Sequence, residues 1–535
     1  MLAVLSNRTY RHLFSAQVIA LVGTGLLTVA LGLLAFDLAG RNAGAVLGTA
    51  LAIKMIAYVG VAPVASAFAE RVPRRAMLVA LDLVRAGVAL FLPFVTEVWQ
   101  IYFLIFLLQS ASAAFTPTFQ ATIPDILPHE KEYTRALSLS RLAYDLESVV
   151  SPMLAAALLT VISFHNLFAG TVIGFLASAA LVLTVVLPNP MPTKPRGVYD
   201  RTTRGIRIYL ATPRLRGLLA VNLAVASAGA LVIVNTVVYV QAAFGLDQQA
   251  MAVALGAFGG GSMLAALALP RLLEAIPDRV AMLGGAGLLA VGALAAAALQ
   301  SYEWLLPLWF MLGLGYSMAQ TPSGRLLRRS AHAEDRPAVF AAQFALSHAC
   351  WLLTYPLAGW AGATLGLPVT AVLLALVAVA AIGIALIVWP AGDPKEIEHS
   401  HDDLPTDHPH LAEASGPHRH AHAFIIDDWH VAWPAGAEGA WKDTSRYRAC
   451  SQSPSSQQLA GAMEAALVGA LLTGAYPWWA LVGIASVGNV VGSVVNWPLG
   501  RAVERFRSRA GFQSPRPPWI GLRTGISATD AGLFF

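Results

Sequence analysis

The chain has 535 residues, of which 57% are hydrophobic and only 12% charged. Water-soluble globular chains run at about 25% charged and 45–50% apolar, so this composition excludes an ordinary soluble domain. The formal net charge of +5 does not point to nucleic acid, which is not expected as a partner; in so apolar a chain, basic residues are topology signals.

An apolar stretch of roughly 20 residues crosses a ~30 Å hydrocarbon core as a helix. Twelve such stretches precede residue 390: about 14–37, 44–69, 76–96, 100–120, 142–163, 167–187, 217–241, 251–270, 280–300, 304–322, 338–361 and 367–389. They are continuous rather than alternating, which argues for helices and against barrel strands. An all-α polytopic membrane protein with twelve transmembrane helices is expected. The first run is longer than the roughly 7–15 residues of a signal sequence core and lacks a small-residue cleavage site, so a cleavable signal is not expected. The two cysteines, Cys350 and Cys450, give neither a disulfide framework nor a zinc spacing.

The loops sort by charge. On one side lie Arg71, Arg74 and Arg75, then Lys131, Arg135 and Arg141, then seven bases from Lys194 to Arg216. Arg271, Arg279, Arg325, Arg328, Arg329 and Arg336 follow on the same side, whereas the opposite loops hold one base, Arg41. The positive-inside rule therefore predicts that both termini of the twelve-helix unit are cytoplasmic.

A repeat accompanies this pattern. Glu70, Pro73 and Arg75 match Glu274, Pro277 and Arg279 at an offset of 204, and Thr116-Pro117 matches Thr321-Pro322 at 205. Two anchors at nearly one offset predict a six-plus-six duplication: a first half over 1–187, a basic linker over 188–216 and a second half over 217–389. Parallel six-helix halves about a membrane-normal axis, with substrate bound between them, are a known transporter architecture.

The stretch "SAFAERVPRR" (66–75) resembles the helix 2–3 signature of the major facilitator superfamily, G-x-x-x-D-R-x-G-R-R, with Ser66, Glu70 and Pro73 as departures. "NRTYRHLFSAQVIALVG" (7–23) and "AAFTPTFQATIPDILP" (113–128) resemble its drug- and siderophore-export branch, and the likeness covers about 1–390. In helix 5, "ESVVSPMLAA" (147–156) keeps the proline of the antiporter pattern G-x-x-x-G-P-x-x-G-G, but Glu147 replaces its first glycine. The helix 4 arginine motif is missing. The resemblance implies a multi-pass carrier of the bacterial inner membrane.

Candidate site residues follow. Glu70, Arg71, Arg74 and Arg75, with the repeat-related Glu274 and Arg279, read either as a latch that pairs with acids and helix C-termini of the other half or as topology signals. Ionisable groups within spans are costly and usually functional. Asp37 closes helix 1; Lys54 sits mid-helix 2, facing a cavity or snorkelling to the interface; Asp82 and Arg85 lie one turn apart as a structural or gating pair; Asp145 and Glu147 open helix 5 as latch partners. His348, beside Cys350, is either a pore-facing group or simply packed.

The tail beyond 390 changes character. Residues 390–458 read as a flexible cytoplasmic tail with seven histidines in 25 residues: His399, His401, His408, His410, His418, His420 and His422. Imidazoles in this density suit Ni, Co, Cu or Zn without fixing a geometry. A hydrophobic hairpin over 459–509, with "EAALVG" and "GNVVGSVVNWPLGR", resembles the opening of a DedA-like membrane family; 510–535 carries no periodicity. A fused, truncated reading frame would account for the change.

The function expected is secondary active export of small organic solutes by alternating access, with proton coupling open. The alternatives are Ni or Co efflux using the histidine tail and, in another class, a membrane-integral lipid-handling protein. The sequence contains no nucleophile triad, H-E-x-x-H, Walker loop or haem motif, so neither an enzyme nor an ATP-driven pump is expected, and no cofactor. The expected partners are the bilayer and a small-molecule or ion substrate, with the chain a monomer.

Overall fold

The computed structural model describes residues 2–39, 43–69, 72–189, 197–393, 396–400, 419–430 and 433–434. Glu70, Arg71, His401, His408, His410, His418, the side chains of His399 and His420, and the whole DedA-like stretch lie outside the described residues.

Twelve long helices form the body. The first half has α1 (Arg8–Ala39), α2 (Ala43–Ala69), α3 (Arg74–Phe91), α4 (Val98–Ile126), α5 (Glu130–Leu158) and α6 (Phe164–Leu183). A linker helix, α7 (Val198–Ala211), leads to α8 (Pro213–Val237), α9 (Gln248–Ala275), α10 (Asp278–Ala295) and α11 (Tyr302–Gln320). The short α12 (Ser323–Arg329) precedes α13 (Arg336–Thr364) and α14 (Leu367–Val388). The duplication shows in where helices begin. Arg8 to Pro213 and Ala43 to Gln248 are both 205 residues, Arg74 to Asp278 and Val98 to Tyr302 both 204, Glu130 to Arg336 is 206 and Phe164 to Leu367 is 203.

Among the described residues ten helices are long and apolar enough to cross a membrane. The two long helices outside that set are α5, which carries Arg141, Asp145 and Glu147, and α11, rich in Trp and Tyr. Both sit inside the bundle, α5 against α1 and α9, α11 against α9 and α10. A helix that turns its polar groups to protein partners need not be apolar all round.

The span boundaries differ from the apolar windows. The fifth was expected from 142, with Arg141 in a loop; α5 instead starts at Glu130, three turns earlier, with Glu130 and Glu132 in its first turn. Acids there complement the positive end of the helix dipole. An apolar window marks only the lipid-buried part of a helix and misses the turns that continue beyond it. For the same reason the linker contains α7, whose length no hydropathy window reveals.

Close packing relies on small residues, as membrane helices require. Thr171 of α6 donates 2.8 Å to the Gly23 carbonyl of α1, where a Cβ would stand 3.3 Å from the Thr171 carbonyl. In the second half, Gly285 of α10 and Gly315 of α11 face each other so tightly that a Cβ on either would lie 2.6–2.7 Å from the other's carbonyl oxygen. Beyond α14, strands β1 (Ile397–Ser400) and β2 (Arg419–His422) pair antiparallel, His399 opposite His420. Ile397, Phe424 and Ile426 are buried in the second half's core.

Candidate functional site

The two halves meet along a seam in which α2 packs on α13 and α5 on α9. On α5, Glu130, Thr134, Leu137, Ser138, Arg141 and Asp145 fall on one face at 3.6 residues per turn. All but Ser138 touch residues of the second half. Arg325 pairs with Glu130 and donates 3.2 Å to the Thr134 hydroxyl; Leu137 lies against Gly324; Ser262 engages Arg141 and Asp145. Ser138 is fully buried on the same stripe.

At the end that carries the basic loops, ion pairs cross the seam. Asp125, at the end of α4, accepts from Arg74 of its own half at 2.6 Å and pairs with Arg336 of the other. Arg325 also lies 3.2 Å from Asp278. Arg328 donates to the Pro128 carbonyl and stands over the Tyr133 ring at 5.5 Å. Lys131 and Glu274 approach to 3.6 Å but are both exposed, which makes this pair weak.

The latch residues thus divide. Arg74 is buried and reaches the other half only through Asp125, while Arg75 is exposed. Arg279 donates 3.1 Å to the Trp389 carbonyl at the C-terminus of α14 in its own half, a favourable place for a cation. Asp82 and Arg85 form a buried pair inside the first half. Asp82 also accepts from Ser178 at 2.8 Å, and the guanidinium lies 4.0 Å from Phe115 and 4.5 Å from Phe175.

Farther in, Arg141 and Asp145 pair along α5, and the α9 hydroxyl of Ser262 inserts between them. It accepts from Arg141 Nε at 3.2 Å and donates to Asp145 Oδ2 at 2.6 Å. The Tyr316 ring of α11 lies 4.6 Å beneath the guanidinium.

A third group surrounds Lys54. Its ammonium lies 5.6 Å from the Tyr58 ring, whose hydroxyl donates 2.9 Å to Gln109. Phe344 and His348 of α13 pack on Tyr58 with centroids 4.8 and 4.7 Å away, so the cluster spans both halves. His348 Nδ1 is 2.7 Å from the Phe344 carbonyl, which can only accept, so Nδ1 carries a proton. Asp37 is exposed near the end of α1, away from this cluster. Two residues apart on a helix, Asp145 and Glu147 point to opposite sides, one to the seam and one to Gly25 of α1, where a Cβ would come 2.6 Å from Glu147 Oε1.

The tail docks on the basic end of the second half. Arg204 of α7 holds Asp335 through two nitrogens and donates 3.0 Å to Asp428. Arg214 donates 3.1 Å to the Phe424 carbonyl and stands over Trp433 at 5.3 Å. Asp427 takes the His430 amide at 2.8 Å and faces His332 at 3.3 Å. This hydrogen bond raises His332 above its ordinary value. Burial alone would raise Asp427, but the hydrogen bonds from His332 and His430 outweigh it and hold the carboxyl well below its usual range. Of the seven histidines of 399–422, only His422 has a described side chain, 5.1 Å from the His430 ring. Among the described residues no group of three or more His, Cys, Asp or Glu is arranged to hold a metal.

The sequence profile described as Major Facilitator Superfamily matches residues 13–272 and, overlapping, 217–506. The chain belongs to this superfamily. Macrolide efflux protein A of Streptococcus pyogenes is 24% identical over 183 residues, 33% of this chain and 44% of that protein. Its namesake in Enterococcus faecalis is 25% identical over 153 residues, 27% and 47% of the two chains. The match thus spans less than half the length of these relatives. Among solved structures, a human organic anion transporter superposes with TM-score 0.63 at 11% identity, covering 71% of this chain and 99% of that one. A bacterial homologue of the iron transporter ferroportin, solved in an outward-facing state, gives 0.60 at 15%, covering 71% and 98%. These likenesses show the fold. Family and fold together make the chain a multi-pass membrane protein of this superfamily.

The residues that sequence reasoning missed are those where halves touch: Asp125, Glu130, Arg141, Ser262, Arg325 and Arg336. The bases among them had been counted only as topology. The repeat held a usable signal, since Glu130 and Asp335 fall at equivalent positions, each just before or at the start of a long helix.

Proposed function

We propose that this transporter is a secondary active exporter of small organic solutes, working by alternating access as a monomer in a bacterial inner membrane with its basic end in the cytoplasm. The observation that carries the reading is the seam. Its crossing ion pairs, Asp125–Arg336, Glu130–Arg325 and Lys131–Glu274, lie at one end. The polar groups farther in, Lys54 and His348, sit where a solute between the halves would meet them. Such contacts hold one end closed and can be exchanged for water, as a rocking carrier needs. The efflux relatives support the direction of transport. Proton coupling is assigned to the first half, which carries Lys54 and Glu147 within its spans.

The test is transport in proteoliposomes. Counterflow of a labelled organic solute, and its uphill extrusion from an efflux-deficient host, are expected; the extrusion should collapse on adding a protonophore. Extrusion that survives the protonophore removes proton coupling, and an absence of counterflow across a broad solute panel removes the exporter reading.

One observation favours Ni or Co efflux as a second reading: β1 and β2 set His399 opposite His420, tying both ends of the histidine segment beside the basic end. Deleting 399–422 should then lower resistance at low metal concentration. Ni²⁺ titration of the full chain with no binding at micromolar metal would end that reading.

A further inference from the structure

The Arg141–Asp145 pair has an unusual relation to the seam. Both charges stand on α5, i and i+4, and the Ser262 hydroxyl of α9 is lodged between them. Ser262 rides on a rigid support. Gly261 lets α9 approach the Phe310 carbonyl of α11, Gly313 lets α11 approach the Phe258 carbonyl of α9, and Phe258 packs edge-on against Tyr316 at 5.5 Å. Ser262 and the Tyr316 ring therefore move as one surface against α5.

We propose that Arg141, Asp145, Ser262 and Tyr316 form the inner gate of the transport pathway. It opens by withdrawing one hydroxyl and one aromatic face while the ion pair stays intact on α5. The physical reason is what happens to the charges when the seam parts. In a rim pair such as Glu130–Arg325, each partner leaves with its own half and must be rehydrated, which is tolerable at an end that meets water. Farther in, a pair divided between halves would strand two bare charges in the bundle. Because Arg141 keeps Asp145 in both states, opening exchanges the Ser262 hydroxyl and the Tyr316 face for water. The other ionisable groups near the pair are Tyr144 and Glu147 on α5 and Tyr316 on α11. None of these is an acid that could replace Asp145 as the partner of Arg141: Glu147 faces α1, away from the seam.

The inference rests on the alternating-access reading, but its test needs no substrate. Ser138, fully buried on the seam stripe between the rim and the gate, makes no hydrogen bond through its hydroxyl, so Ser138→Cys is a mild reporter. In a background with Cys350 and Cys450 replaced, its reaction with a membrane-impermeant maleimide from the basic side should be slow. Adding Ser262→Ala should speed labelling about tenfold, and Ser262→Thr, which keeps a hydroxyl, should return it to the parent rate. Tyr316→Leu, a second route through the same gate, should also speed it. Labelling within twofold of the parent in both Ser262→Ala and Tyr316→Leu overturns the proposal, as does fast labelling in Ser262→Thr. A failure of counterflow would instead count against the exporter reading and leave these rates as they are.

Discussion

Asp125 separates fold stability from conformational balance, because its two arginines come from different halves. Arg74 is of its own half, is 3% exposed, and keeps the contact however the halves rock; Arg336 is of the other half, at 18%, against 15% for Asp125. Exposed pairs contribute about 0–1 kcal/mol, whereas breaking a buried pair from one side costs about 3–5. The rim pair with Arg336 lies between, at about 1–2 kcal/mol, so Arg336→Gln should lower the ratio of basic-end-closed to open molecules by roughly 5- to 30-fold. Asp125→Asn makes that shift and also leaves the Arg74 charge buried without its carboxylate in both states. That adds a stability loss of about 3 kcal/mol.

Two measurements resolve these effects. Labelling of Ser138→Cys from the basic side reports the balance and should rise in both variants. Thermal unfolding in detergent reports stability and should fall clearly in Asp125→Asn and little in Arg336→Gln. Equal losses of unfolding temperature with unchanged labelling would refute the division and leave both pairs as static bracing.

Gly25→Leu should cost about 1–3 kcal/mol by overpacking, since a Cβ there would meet the Glu147 carboxylate and Ser151; a normal unfolding temperature would refute the close approach of α1 and α5. Lys54→Cys should react with water-soluble thiol reagents and be protected by a transported solute, whereas labelling by lipid-soluble reagents alone would put the position toward lipid. The docked tail should loosen on going from pH 6 to pH 8. His332, raised by Asp427, contributes fully below its ordinary 6.5 and loses that contribution as pH rises through its higher native value. Asp427, depressed, contributes above its ordinary 3.8 and loses this only as pH falls through its native value. Limited proteolysis near 423–434 should therefore be faster at pH 8, and equal rates would show that the imidazole does not hold the tail.

Much of the fold was legible because bilayer thickness writes itself into the sequence as apolar runs, and duplication writes itself as an offset. Helix ends beyond the lipid were not, as α5 shows: its first three turns are polar, and Arg141 read as a loop residue. The seam was harder still. Arg325, Arg328 and Arg336 look alike as loop bases, and only the fold brings two of them to Glu130 and Asp125 and gives the third the Pro128 carbonyl. Ser262 carries no signal at all, being one small residue in a glycine-rich run. The Lys54 position was marked by its charge, but the helical phase that turns Glu147 toward Gly25 of α1 is not read from sequence distance.

The distribution of charge along the seam has one further consequence. Asp82–Arg85 and Arg141–Asp145 lie within the first half, and among the described residues the pairs that cross to the second are those of the rim. A carrier that must cycle can break exposed pairs at about 0–1 kcal/mol, but a buried pair split between halves would cost about 3–5. Exchanging Asp145 and Ser262, by Asp145→Ser with Ser262→Asp, keeps the same groups at the gate and moves the ion pair across the seam. Opening would then sever Arg141 from its carboxylate instead of from a hydroxyl, whose hydrogen bonds to charged groups contribute about 1.5–3 kcal/mol. The difference, about 1–3 kcal/mol, should slow basic-side labelling of Ser138→Cys by roughly 5- to 150-fold. The exchanged protein should fold, since the closed state keeps Arg141, one carboxylate and one hydroxyl together, and its unfolding temperature provides the control. Labelling at the parent rate in a normally folded exchange variant would mean that the seam opens without parting α5 from α9, and the rule that deep ion pairs stay within one half would lose its mechanical reason.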